Sequence, residues 1–114
     1  MYKQKIVKEL RELIENLVNK NYLNLYHAGH LGDYTPEEID NIIKGYKGNL
    51  TLPPESAFEN VYIYEVINKE KIKKFAIDFD LWFDNEQSDL TLQCDVVVKQ
   101  DGNIIMEIYD IHVL

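Results

Sequence analysis

The hydrophobic period of this chain changes once, and the change falls near Pro53-Pro54. Before that point apolar residues recur at steps of three and four; beyond it they alternate with polar ones. A 3.6-residue period draws a stripe along a helix, and a period of two fills one face of a strand. The two halves therefore demand different secondary structure, helices first and strands after. With 114 residues the chain has room for one domain, 1–114, with a genuine core and no need of staples.

In the first half, mainly helical over 1–54, Ile6, Leu10, Leu13, Ile14, Leu17 and Val18 share one stripe of a first helix. Asn19-Lys20-Asn21 suits its C-terminal end, and Tyr22 to Ala28 reads as a short second helix before Gly29 and Gly32. Thr35-Pro36-Glu37-Glu38 is a helix start: Thr35 caps, Pro36 fills the first turn, and Glu38 reaches back to close a capping box. Ile39, Ile42, Ile43 and Tyr46 line one face of that helix, and Pro53-Pro54 is expected to close the helical half.

The second half, 61–113, reads as a four-stranded antiparallel meander. Val61 to Ile67 forms the first strand and Ile72 to Phe83 the next. On the latter, Phe75, Ile77, Phe79, Leu81 and Phe83 lie on one face, and Ala76, Asp78, Asp80, Trp82 and Asp84 on the other. A turn over Asp84 to Ser88 leads to a strand whose Leu90, Leu92, Cys94, Val96 and Val98 alternate with Asp89, Thr91, Gln93, Asp95 and Val97. Asp101-Gly102 is a hairpin signal before the last strand, Ile104 to Val113. In that strand the phase of Ile104, Met106 and Ile108 conflicts with that of Tyr109, Ile111 and Val113, and a bulge near Ile108 and Tyr109 reconciles them. Helices followed by a meander make an α+β domain, the helices on one face of the sheet.

Charge follows the same division. Residues 1–57 hold eight acids and seven bases; residues 58–114 hold twelve and five, and the stretch from Phe75 to Val98 has no Lys or Arg at all. A net charge of −8 disfavours nucleic acid and anionic lipid and favours a basic protein as partner. The N-terminus mixes charged and apolar residues without a signal-peptide core, and no segment is long and apolar enough to span a bilayer, so the cytoplasm is the expected location. Cys94 stands alone in an alternating apolar run, as a buried thiol would. His27, His30 and Asp33 have helical spacing, but Gly29 and Gly32 interrupt the helix that would align them and a fourth ligand is missing. Neither a metal nor another cofactor is expected.

Asp78, Asp80 and Asp84, with Gln93 and Asp95 on the neighbouring strand, place an acidic cluster around Trp82. A large apolar anchor ringed by like charge is what a docking face for a basic surface needs. Asp110 and His112 share a strand face, so the carboxylate could orient the imidazole for acid–base work.

Leu81-Trp82, then Ser88-Asp89-Leu90-Thr91-Leu92, then the closing Tyr109-Asp110-Ile111-His112-Val113-Leu114, resemble a family of small uncharacterised bacterial domains with an LW…SDLTL…DIHVL signature. The turn Asp84-Asn85-Glu86-Gln87 departs from that pattern in lacking a Gly. The layout is similar to the nuclear-transport-factor-2-like (cystatin-like) cone, in which a curved sheet wraps a long N-terminal helix. That fold is used by immunity proteins that neutralise contact-dependent or polymorphic bacterial toxins. The resemblance implies a protein-binding inhibitor of a cationic toxin domain rather than an enzyme. Two alternatives stay open: a cone-fold hydratase or isomerase working through Asp110 and His112, and a homodimeric accessory domain.

Overall fold

A computed structural model describes residues 2–70 and 72–113. Helix α1 (Tyr2–Val18) buries Ile6, Leu10, Leu13, Ile14 and Leu17 of the stripe read from the sequence, while Val18 at its end is only partly buried against the core. It ends in a Schellman motif: Asn21 N–H reaches the Asn16 carbonyl (2.8 Å) and Lys20 N–H the Leu17 carbonyl (3.2 Å), with Lys20 left-handed at φ 58. Helix α2 (Tyr22–His27) closes the same way on Gly29. Helix α3 (Pro36–Gly45) has the expected capping box, with Glu38 N–H donating to Thr35 Oγ1 (3.1 Å) and Thr35 N–H donating to Glu38 Oε1 (2.9 Å).

Pro53-Pro54 does not end the helical half. A two-residue strand β1 (Leu50–Thr51) precedes it, and Pro54 caps a further short helix, α4 (Glu55–Glu59). A proline just ahead of a helix needs no N–H partner, so the pair starts that turn as readily as it stops another. Phe58 of α4 is buried and stacks on Phe79 with ring centroids 5.2 Å apart, and the Arg11 guanidinium lies over the Phe58 ring, 4.9 Å from its centroid, while pairing with Glu55.

Among the described residues the sheet has five antiparallel strands, the short β1 joining the expected four: β2 (Tyr62–Val66), β3 (Lys74–Phe83), β4 (Glu86–Val98) and β5 (Ile104–Val113). Their order is β1-β3-β4-β5, and β2 pairs β3 on the same side as β1. The sheet stays open. Its inner face buries Ile77, Phe79, Leu81, Phe83, Leu92, Cys94, Val96, Met106, Ile108 and Ile111 against the helices. Burial pushes the Cys94 thiol well above its ordinary pKa. The α+β architecture, helices on one face of an antiparallel sheet, is the one expected.

Local irregularities set what reaches the outer face. Register along β4–β5 slips between Gln93↔Asp110 and Cys94↔Ile108, which leaves Tyr109 as the extra residue of the anticipated bulge. The β3–β4 connection is tighter than expected: Phe83 pairs Glu86 across a two-residue turn, with Asp84 (φ 51) and Asn85 (φ 63) both left-handed. Asp and Asn tolerate that conformation, so a primed turn forms there without a Gly. Beyond it, Ser88, Asp89 and Leu90 together face Leu81 alone. Ser88 Oγ patches this bulge by donating to the Leu81 carbonyl (2.5 Å) and accepting from Leu90 N–H (3.2 Å).

Candidate functional site

The sheet's outer face is built from the alternate residues of β3, β4 and β5 that the inner core does not use. Three cross-strand rows define it: Asp80, Thr91 and His112; Asp78, Gln93 and Asp110; Ala76, Asp95 and Glu107. Trp82, opposite Gln87, extends it toward the turn, and Tyr62, opposite Asp78, toward β2.

Each central carboxylate is held by neutral donors. Gln93 Nε2 donates to Asp78 Oδ1 (3.0 Å), Thr91 Oγ1 to Asp80 Oδ1 (2.8 Å), and Gln87 Nε2 to Asp80 Oδ2 (3.0 Å). Among the described residues no Lys or Arg forms an ion pair with Asp78, Asp80 or Asp95. Asp95 also stands directly opposite Glu107, a like-charge pair that works against sheet stability. Between the ends of β1 and β2 part of the β3 edge is left uncovered, and a recess of about 250 Å³ opens there beside Ala57, Tyr62, Asp78, Asp80, Trp82 and Thr91. A larger recess, about 800 Å³, lies among turns at the other end of the sheet, around Tyr2, Lys73, Val98 and Lys99, away from these carboxylates.

Six residues were expected to form the docking surface. The structure brings Asp78, Asp80, Trp82, Gln93 and Asp95 together on this face. Asp84 does not join them: it leaves the strand in the turn, and its Oδ1 accepts from Asn49 N–H (3.1 Å) while its own N–H donates to the Asn49 carbonyl (2.8 Å). A carboxylate that ties the turn to the segment after α3 is spent on structure. Glu107 was missed, although its place between buried Met106 and Ile108 in an alternating strand marks it as outward-facing.

Asp110 and His112 also lie on the outer face, not in a pocket between helix and sheet. The bulge at Tyr109 sets their phase. Asp110 Oδ1 accepts from the Tyr34 hydroxyl (2.7 Å) and from Ile111 N–H (2.9 Å). His112 Nδ1 lies 2.8 Å from Asp110 Oδ2, but off the line of a ring N–H, so the attraction is electrostatic rather than an aligned hydrogen bond. The Tyr34 hydroxyl, helped by Ile111 N–H and by the charge of a protonated His112, holds the Asp110 carboxyl below its usual range against the opposing effect of burial. A depressed carboxyl stabilises the fold above the ordinary Asp pKa, and that contribution disappears as pH falls through the lowered value. Tyr34→Phe is expected to raise the Asp110 pKa toward normal and flatten the acid limb of the stability profile; carboxyl-detected NMR titration of both proteins measures this. An unchanged Asp110 midpoint would show that the hydroxyl does not hold the charge.

His30 is engaged elsewhere. Its Nδ1 donates to the Met106 carbonyl (2.6 Å), and its own carbonyl accepts from Ile108 N–H (2.8 Å). Among the described residues no three His, Cys, Asp or Glu side chains gather at a metal-binding distance, and no helix is long and apolar enough to cross a membrane.

Fold and surface together define an α+β domain with one sheet face packed under helices and the other left acidic and open. Over residues 14–114 the chain matches the family described as a domain of unknown function, DUF7668, and it belongs to that family. No match is found among curated proteins or among solved structures.

Proposed function

We propose that this domain binds a basic protein through its outer sheet face, and that it acts as an immunity protein neutralising a cationic bacterial toxin domain. The observation that carries the reading is that Asp78 and Asp80 are fixed by Gln93, Thr91 and Gln87 while no Lys or Arg among the described residues pairs with them. Carboxylates held in place by neutral donors are preorganised for an external Lys or Arg and pay no reorganisation on binding. The recess beside Trp82 and Tyr62 gives such a side chain an aromatic wall, and the like-charged Asp95–Glu107 pair is relieved when a cation covers it. Long-range attraction speeds encounter, and a buried aromatic slows release. Hydratase or isomerase chemistry at Asp110 and His112 is less well supported, because the pair sits on this open face, each side chain 38% exposed.

The test is affinity capture from the native cytoplasm at low salt with the unmodified domain, Asp80→Lys and Trp82→Ala, each checked for folding by circular dichroism. One stoichiometric basic partner is expected, released by raised salt, lost with Asp80→Lys and weakened with Trp82→Ala. A partner that both folded variants retain at full strength would place the interface elsewhere.

A further inference from the structure

Strand β3 is covered by β1 as far as Trp82 and by β2 as far as Asp78, so Phe79, Asp80 and Leu81 face neither strand. Successive residues of a strand aim their backbone N–H and C=O groups to opposite sides. The Leu81 carbonyl points to β4, where Ser88 Oγ donates to it, while the Trp82 carbonyl accepts from Thr51 Oγ1 on β1. Asp80 therefore turns its N–H and C=O to the β1–β2 side, into the gap where no strand meets them. The recess of about 250 Å³ opens there. Its lining holds the Asp78 and Asp80 carboxylates and two aromatic side chains, Tyr62 and Trp82. The Tyr64 ring packs on Tyr62 with centroids 5.1 Å apart and steadies that wall.

We propose that this recess takes one arginine side chain of the basic partner, an inference that rests on the outer-face reading above. Three acceptors converge on the gap: the two carboxylates and the Asp80 carbonyl. Gln93 holds Asp78 through Oδ1, which leaves Oδ2 without a donor among the described residues. A guanidinium carries five N–H donors in one plane and stacks its faces on aromatic rings, so it meets acceptors and walls together. A lysine ammonium has no flat face and holds its water more tightly, so it exchanges less for the same desolvation. A calcium ion takes six to eight oxygens, more than two carboxylates and one carbonyl supply. The volume lies just below the roughly 300–1,000 Å³ of small-molecule sites, which suits one side chain rather than a cofactor. The free Asp80 N–H beside these acceptors suits a main-chain carbonyl of the same partner.

The test titrates the full chain with N-acetyl-argininamide and, separately, N-acetyl-lysinamide, two probes of equal charge, at constant ionic strength. Trp82 is the chain's single tryptophan, so its fluorescence reports the recess without ambiguity, and the Asp80 amide shift is followed by NMR. The arginine probe is expected to saturate both signals with a Kd on the order of 1–10 mM, and the lysine probe to bind at least about fivefold more weakly. Asp78→Asn, which keeps the shape of the side chain, is expected to weaken the arginine probe about tenfold, and Tyr62→Ala about threefold. No saturation by about 100 mM, equal binding of the two probes, or shifts centred away from Asp80 and Trp82 would each overturn the proposal. If the arginine probe fails while a captured basic partner is still lost with Asp80→Lys, the docking reading stands and the arginine anchor falls. If it saturates the recess but no basic partner is captured, the guanidinium site stands and the docking reading falls.

Discussion

Gly32→Ala is expected to destabilise the domain by about 3 kcal/mol, the sum of two costs. Gly32 is left-handed (φ +60), which costs a residue with a Cβ roughly 1 kcal/mol. The added methyl would also sit far inside van der Waals contact with the Ile108 carbonyl oxygen. Backbone cannot swing aside as a flexible side chain can, so the loop must lift off β5. Lifting it strains the bonds from Ile108 N–H to the His30 carbonyl and from His30 Nδ1 to the Met106 carbonyl. Gly29→Ala is the control: its φ is also positive (+80), but a Cβ there meets nothing within 4 Å, so only the conformational cost of roughly 1 kcal/mol is expected. Urea denaturation measures both. With a slope of roughly 1.5 kcal/mol/M, Gly32→Ala should move the midpoint down by about 2 M. Equal shifts for the two variants would show that the loop does not press on the strand.

Leu10→Ala should cost about 3–4 kcal/mol, within the range for deleting a fully buried leucine whose surroundings only partly close the cavity. Leu10 is inaccessible to solvent at the centre of the α1 stripe, between Ile6 and Ile14, where the helix lies on β1 and β5. The first turn of α1 carries no acidic residue to favour its dipole, so the helix is held chiefly by this packing. Against a total stability of roughly 5–15 kcal/mol, that single truncation removes a large share. Glu15→Ala, on the exposed side of the same helix, should stay within about 0.5 kcal/mol. A Leu10→Ala cost below about 1 kcal/mol would mean that α1 is not the core helix.

Legibility of the site followed the range of the interactions involved. Asp78, Asp80 and Trp82 could be placed on one face because a strand alternates regardless of its neighbours, and Gln93 and Asp95 came with them through the same rule applied to β4. Asp84 obeyed the rule on paper and not in space: the strand stops at Phe83, and a left-handed turn sends the carboxylate to Asn49, 35 residues away in sequence. The outward phase of Asp110 and His112 depends on one extra residue at Tyr109. Its presence was readable from the clash of two alternations, but the Tyr34 hydroxyl that holds Asp110 comes from the loop before α3, 76 residues earlier. No local pattern announces such a bond.

By itself the sequence determined the helix stripe from Ile6 to Leu17, the Thr35–Glu38 capping box, the alternating faces of β3 and β4, and the bulge in β5. Each depends on backbone periodicity or on side chains a few residues apart, where the chain's own geometry brings the groups together. Only the tertiary structure decided that Pro54 starts α4, that β1 and β2 share one side of β3, that His30 covers part of the β5 edge, and which carboxylates stand without a Lys or Arg partner among the described residues. Those outcomes depend on which distant segments meet, and that is fixed by burying all the apolar faces at once rather than by any segment's own preference.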